Sequence, residues 1–217
     1  MHPAEELLVA VASGQSDLPY RVMVEGHLDH CPACRATVAE ISAPGGALLS
    51  GLPAVRPPDV LWERLQARVG ALPQEGPAVS PALAGLPLPE GARRELSERP
   101  GMSEKTALHW RRMPAHPARY AVLLRDRLTG SALILGHMPP ERGYPAHVHV
   151  GPEDILVLTG GFEDHFGTFE TGAWASYAPG TRHRPWTEPD EECWTLTRLE
   201  RPNLYLGWRG WLQRLQR

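Results

Sequence analysis

His147-Val148-His149-Val150-Gly151-Pro152-Glu153, answered later by Pro179-Gly180-Thr181-Arg182-His183, decides the fold of the second half of the chain. Side chains alternate between the faces of a strand, so His147 and His149 share one face. Gly151-Pro152 makes a turn that can return Glu153 to the same spot. Pro179-Gly180 makes another, which brings in His183 from a later strand. Three imidazoles and one carboxylate are a donor set for zinc, iron, manganese or nickel. A lone H-x-H pair often lies on a solvent face. Here the glutamate, Gly160 and the later histidine follow in order, which favours a metal site in a barrel interior.

The surrounding sequence agrees. Tyr120–Leu124 and Ala132–Leu135 flank the hairpin signal Asp126-Arg127-Leu128-Thr129-Gly130. Ile155–Leu158 reads as a buried strand, Thr168–Tyr177 as another, and Cys193–Leu196 as a further one. Short strands with glycine and proline turns predict an antiparallel barrel or jelly roll. Leu204–Arg217 reads as strand, helix or both. His165 belongs to a surface turn at Asp164–Gly167, and Cys193 reads as a small buried hydrophobe.

The first half is helical. Glu5–Ala12 is compact and apolar and stops at Ser13-Gly14. Asp17 can cap a helix from Leu18 to His30. Pro32 opens a third helix, with Cys34, Val38 and Ile41 on one face, ended by Pro44-Gly45-Gly46. A fourth runs from Asp59 to Leu72, with Leu61, Leu65 and Leu72 as its apolar stripe. From Pro73 to Pro89 no period appears, and the stretch reads as a linker. The fold class is thus α+β and multidomain: a helical metal domain over 1–75, a Pro/Gly/Ala-rich linker over 76–100 and an all-β barrel over 101–217.

His27-x-x-x-Cys31-x-x-Cys34 marks the helical part. His27 and Cys31 are four residues apart, at one-face spacing, and Pro32 bends the chain so that both sulfurs converge. Zinc takes four ligands, most often thiolate and imidazole. Three are local; His2 is the candidate for the fourth, with His30 its rival. A small helical domain buries little core, so a structural metal helps it hold together. A redox pair is the other use of C-x-x-C, but the strand-to-helix setting of thioredoxin motifs is missing.

Bulk properties narrow the function. The 217 residues carry a net charge of −3, ten histidines and three cysteines. There is no basic surplus for nucleic acid, and the basic stretch Arg209–Arg217 reads as a solvated helix face. A nucleic-acid-binding zinc module is therefore disfavoured. No run of about 20 apolar residues occurs, and the N-terminus lacks a basic signal-peptide region, so a cytoplasmic protein without membrane contact is expected.

The stretches His2–Leu8, Ala12-Ser13-Gly14 and His27-Leu28-x-x-Cys31-x-x-Cys34-Arg35 resemble the zinc-binding anti-sigma domain. That resemblance implies His2 as the fourth ligand beside His27, Cys31 and Cys34. The second half resembles the two cupin motifs, with His147, His149, Glu153 and His183 in the ligand positions. It departs at Gly143, which lies closer to the first histidine than usual, and at Thr187, where many cupins have asparagine. The pair of domains in this order resembles the ChrR type of anti-sigma factor. The resemblance implies a non-enzymatic regulator that binds an extracytoplasmic-function sigma factor, one to one, through its helical domain. Val60, Leu61 and Leu65 on the fourth helix are the expected contact. It further implies zinc in the helical domain, zinc or iron, manganese or nickel in the cupin, no organic cofactor, and release on oxidative stress such as singlet oxygen or hydroperoxide. The competing reading is a metal-dependent cupin dioxygenase or hydrolase with an accessory helical domain.

Overall fold

A computed structural model describes residues 1–71, 80–99, 101–102, 104–113 and 116–207. Four helices open the chain: α1 (Glu5–Ala12), α2 (Leu18–His30), α3 (Pro32–Ser50) and α4 (Asp59–Ala71). The Asp17 carboxylate accepts the Tyr20 amide at 2.9 Å and caps α2. Pro32 occupies the first turn of α3, where its missing N–H costs nothing.

The expected stop of α3 at Pro44-Gly45-Gly46 is not observed. Pro44 lies inside the helix, which continues to Ser50. Proline removes one backbone bond, and Ala47-Leu48-Leu49, all good helix formers, carry the helix on. Leu72, expected in the stripe of α4, lies outside the described residues, as do the basic residues Arg209–Arg217.

Within the stretch read as linker, Pro81–Leu83 forms a 3-10 turn and Glu90–Ser97 forms a helix, α5. Leu83, Ala92 and Leu96 are fully buried in the same core as Val22 and Met23 of α2. The Asp29 carboxylate accepts the Gly91 amide at 2.8 Å in the first turn of α5. Proline and glycine masked this segment's few apolar anchors.

Eleven strands follow among the described residues: β1 (Trp110–Arg112), β2 (Arg119–Arg125), β3 (Ala132–Met138), β4 (His147–Val148), β5 (Glu153–Thr159), β6 (Gly161–Asp164), β7 (Gly167–Glu170), β8 (Trp174–Tyr177), β9 (Arg182–His183), β10 (Cys193–Leu199) and β11 (Leu204–Tyr205). The single strand expected over Thr168–Tyr177 is two, broken at Thr171-Gly172, where Gly172 has φ +83°. A six-stranded sheet runs β1-β2-β3-β10-β5-β8, and a three-stranded one runs β11-β4-β9. The named strand pairs are antiparallel, as a cupin-type barrel requires.

The unbroken apolar run of β5 has a physical cause. Ile155 and Val157 face the barrel interior with Phe162, Phe169 and Tyr177. Leu156 and Leu158 face the other way, into a core shared with Val22 and Met23 of α2 and Leu196 of β10. Helices cover the outer face of the sheet, so both faces of β5 are dry. A polar tie fixes this docking. Arg198 of β10 donates to Asp17 through Nε at 2.9 Å and Nη2 at 2.7 Å, with both side chains buried. Tyr20 Oη donates to Asp154 at 2.7 Å.

Candidate metal centres

His147, His149, Glu153 and His183 converge inside the barrel, their ligand atoms all within 4.8 Å of one another. β4 and β9 pair with His147 opposite His183. Glu153 begins β5, after the Gly151-Pro152 turn. All four residues are buried.

Their hydrogen bonds fix the tautomers. His147 Nδ1 lies 2.8 Å from the Pro145 carbonyl, which can only accept, so Nδ1 carries the proton. His183 Nδ1 donates to the Asp164 carboxylate at 2.6 Å. His149 Nδ1 donates at 2.8 Å to the Thr181 hydroxyl, whose own proton goes to the Ala178 carbonyl at 2.6 Å. Each imidazole therefore presents a bare Nε2 to the centre. Nε2 of His147 and of His183 are 3.0 Å apart, and Nε2 of His149 is 3.3 Å from Glu153 Oε1. His149 Nε2 has no hydrogen-bond partner although it is buried. Two lone pairs cannot face each other at that distance unless a proton or a cation lies between them. Outer-shell acceptors on Nδ1 are the usual way a protein orients histidine toward a metal. The donor set fits a divalent ion.

Electrostatics agree. Burial pushes the His183 pKa down to about 4, helped by the neighbouring His147, so a proton competes poorly at neutral pH. Burial opposes charge on Glu153, but in the absence of an ion a second proton on the His147 and His149 rings, donated from Nε2 and positively charged, outweighs it and holds the Glu153 pKa well below the usual carboxylate range. Asn203 donates to Glu153 Oε2 at 2.5 Å. A cavity of about 60 Å³ opens over the cluster, walled by Tyr120, Ile134, Met138, Ile155 and Phe162.

The second group is His2, His27, Cys31 and Cys34, again with ligand atoms within 4.8 Å of one another. His2 Nδ1 lies 3.3 Å from Cys31 Sγ and 3.4 Å from Cys34 Sγ. His30, the rival, is exposed and lies outside the group. His27 Nδ1 donates to the Gly172 carbonyl at 2.9 Å, which leaves Nε2 unprotonated, buried and without a hydrogen-bond partner. Both cysteines are free and buried. The Cys34 amide donates to Cys31 Sγ at 3.4 Å. Burial pushes the Cys34 thiol up to about 11, with the Cys31 sulfur adding to it; a bound cation would reverse this by taking the thiolate. Two sulfurs and two imidazoles fit a tetrahedral ion.

Sequence spacing named seven of these residues, and His2 was the candidate that the family resemblance favoured; the structure brings the eight together as two groups. Spacing did not bring out Asp164, Thr181, Asn203 or the carbonyls of Pro145 and Gly172. Asp164 looked like a turn residue, and it does accept the Phe166 amide at 2.8 Å. Its other oxygen holds His183 and also accepts from Tyr177 Oη at 2.7 Å, a relation that no local spacing announces. The Gly143 departure has a steric reason, because a side chain there would strike the Pro185 carbonyl at 1.7 Å. Thr187 is fully buried and donates to the Pro139 carbonyl at 2.7 Å. His165 is exposed and Cys193 fully buried, as expected.

The exposed apolar residues are uneven. Leu48 and Leu49 of α3, with Leu52 and Val55 beyond it, and Val60, Leu61, Trp62, Leu65 and Val69 of α4 are all exposed, Trp62 at 66%. No residue of α4 is buried. No described helix is long and apolar enough to cross a membrane.

The family model for the ChrR cupin-like domain matches residues 99–201. The anti-sigma-E factor ChrR of Cereibacter sphaeroides is 29% identical over 209 residues, which cover 93% of this chain and 90% of the relative. The crystal structure of Rhodobacter sphaeroides SigE in complex with the anti-sigma ChrR matches with a TM-score of 0.63 at 24% identity, over 91% of this chain and 97% of that one. The chain is thus similar to ChrR across both halves, and its residues 99–201 match the ChrR cupin-like domain.

Proposed function

We propose that this chain is a cytoplasmic anti-sigma factor that holds one extracytoplasmic-function sigma factor through its helical half. The observation that carries this reading is the run of exposed large apolar side chains on α3, α4 and the segment between them, in a chain similar to ChrR over 93% of its length. A surface of nine large apolar side chains, from Leu48 to Val69, favours a protein partner over water. No residue of α4 is buried, so the helix can enter a groove between sigma-factor domains as an amphipathic helix.

Residues 1–75 serve as the sigma-binding domain, and residues 101–217 as the sensor. Zinc held by His2, His27, Cys31 and Cys34 keeps the first three helices together. A second ion, zinc or a redox metal, is held by His147, His149, Glu153 and His183. An oxidant such as singlet oxygen or a hydroperoxide acts at the barrel, and the altered barrel releases the sigma factor. The chain acts as a regulator and not as an enzyme. Its full-length similarity is to a regulator, and an N-terminal thiolate site has no use in an ordinary cupin enzyme.

The test is co-expression of the full chain with extracytoplasmic-function sigma factors of its own organism. A stable one-to-one complex that dissociates on exposure to singlet oxygen supports the reading. A metal-loaded, folded chain that retains no sigma factor sinks it.

A further inference from the structure

The N-terminal metal cluster is not enclosed by the helical half alone. The Gly172 carbonyl, in the turn between β7 and β8, accepts from His27 Nδ1 at 2.9 Å. The Trp174 amide of β8 donates to the Met1 carbonyl at 3.2 Å, next to His2. The Trp174 ring meets the His27 ring edge-on, with centroids 6.0 Å apart. The turn is tied to β5 in turn, because the Gly172 amide donates to the Val157 carbonyl at 2.9 Å. Glu153 lies on that same strand.

Glycine is required at the point of contact. Gly172 has φ +83°, and a Cβ there would stand 2.8 Å from His30 Cβ on α2. Only a residue without a side chain lets this carbonyl reach His27.

We propose that the barrel completes the outer shell of the N-terminal metal centre. The Gly172 carbonyl sets the tautomer and plane of His27, and the Trp174 amide positions the segment carrying His2. Ion affinity at the Cys31–Cys34 centre and docking of the helical half on the barrel are therefore linked. The linkage is reciprocal: a barrel that lets go of α2 weakens the thiolate centre, and loss of its ion loosens the docking. This inference rests on the reading of the cysteine cluster as a metal site. It does not depend on sigma-factor binding.

Cobalt(II) titration of the full chain tests it, because only the cysteine-containing centre gives thiolate-to-cobalt charge-transfer absorption. Gly172→Ala should weaken cobalt binding at that centre by roughly 10- to 100-fold, the usual effect of losing an outer-shell partner. The cupin centre should keep its affinity. Gly85→Ala is the strain control: Gly85 also has positive φ but lies in open space, so thiolate-site affinity should not change. A folded Gly172→Ala chain with unchanged thiolate-site affinity overturns the proposal. If that variant does not fold, nuclear magnetic resonance of the wild-type zinc form decides. Coupling across the hydrogen bond from His27 Nδ1 to the Gly172 carbonyl supports the proposal, and its absence overturns it. A wild-type chain that never develops the thiolate band defeats the metal-site reading itself, and this inference with it.

Discussion

Nε2 of His147 and Nε2 of His183 stand 3.0 Å apart, and the Nδ1 proton of each is already committed, one to the Pro145 carbonyl and one to the Asp164 carboxylate. Hydrogen bonds outside the centre have thereby made the inside of the barrel a set of bare lone pairs facing Glu153. A divalent cation satisfies all of them at once.

His183→Ala should therefore lower the metal content of the full chain by one ion and leave the thiolate centre filled. Elemental analysis of the purified variant beside the wild type checks this. Asp164→Asn should act in the same direction but more weakly, about 10- to 100-fold in affinity at the cupin centre, because it changes the orienting partner rather than a ligand.

Acid should destabilise the metal-free chain through His183. Its pKa falls from the ordinary 6.5 to about 4 in the folded state. Between those values the unfolded chain binds more protons, so stability rises with pH. The contribution is complete above about pH 6.5 and is progressively lost as the pH falls toward 4. Glu153, whose folded pKa is also depressed, extends the loss below the normal carboxylate range. Thermal unfolding of chelator-treated protein across this window measures the slope. A midpoint that rises on acidification from pH 6.5 to 4 contradicts the assignment.

The Asp17–Arg198 pair should behave as a buried ion pair. Asp17→Asn leaves the Arg198 guanidinium buried with less of its counter-charge, and removing one partner of such a pair costs about 3–5 kcal/mol. Asp17→Asn with Arg198→Met should lose less than Asp17→Asn alone. Chemical denaturation of the three proteins checks the order.

The apolar residues of α4 should matter only for the partner. Trp62→Glu or Leu65→Glu removes little that is buried within the chain, so its melting temperature should hold. Sigma-factor affinity should fall by about 30-fold or more if Trp62 anchors the interface. Calorimetric titration separates the two effects.

Much of this was legible in the sequence, and the reasons are local. H-x-H fixes two side chains on one strand face, and H-x-x-x-C-x-x-C fixes three around one helix junction. The α1 and α2 bounds followed from Ser13-Gly14 and from the Asp17 cap, because stop and start signals sit within a turn of the residues they control. α5 was not legible. Its apolar residues Ala92 and Leu96 are few, and its helix is held by contacts with α2 far away in sequence. Pro44 misled for the opposite reason, because a single lost bond did not outweigh the helix formers beyond it. The outer shells could not be read at all. Asp164 and Gly172 act on histidines that reach them only through the barrel's folding.

The most direct test of the account is the metal content of the complex between the full chain and its extracytoplasmic-function sigma factor, before and after removal of the thiolate-bound ion. The account predicts two ions per one-to-one complex, and loss of the sigma factor when Cys31→Ser empties the N-terminal centre. A complex that forms at full strength with that centre empty would contradict it.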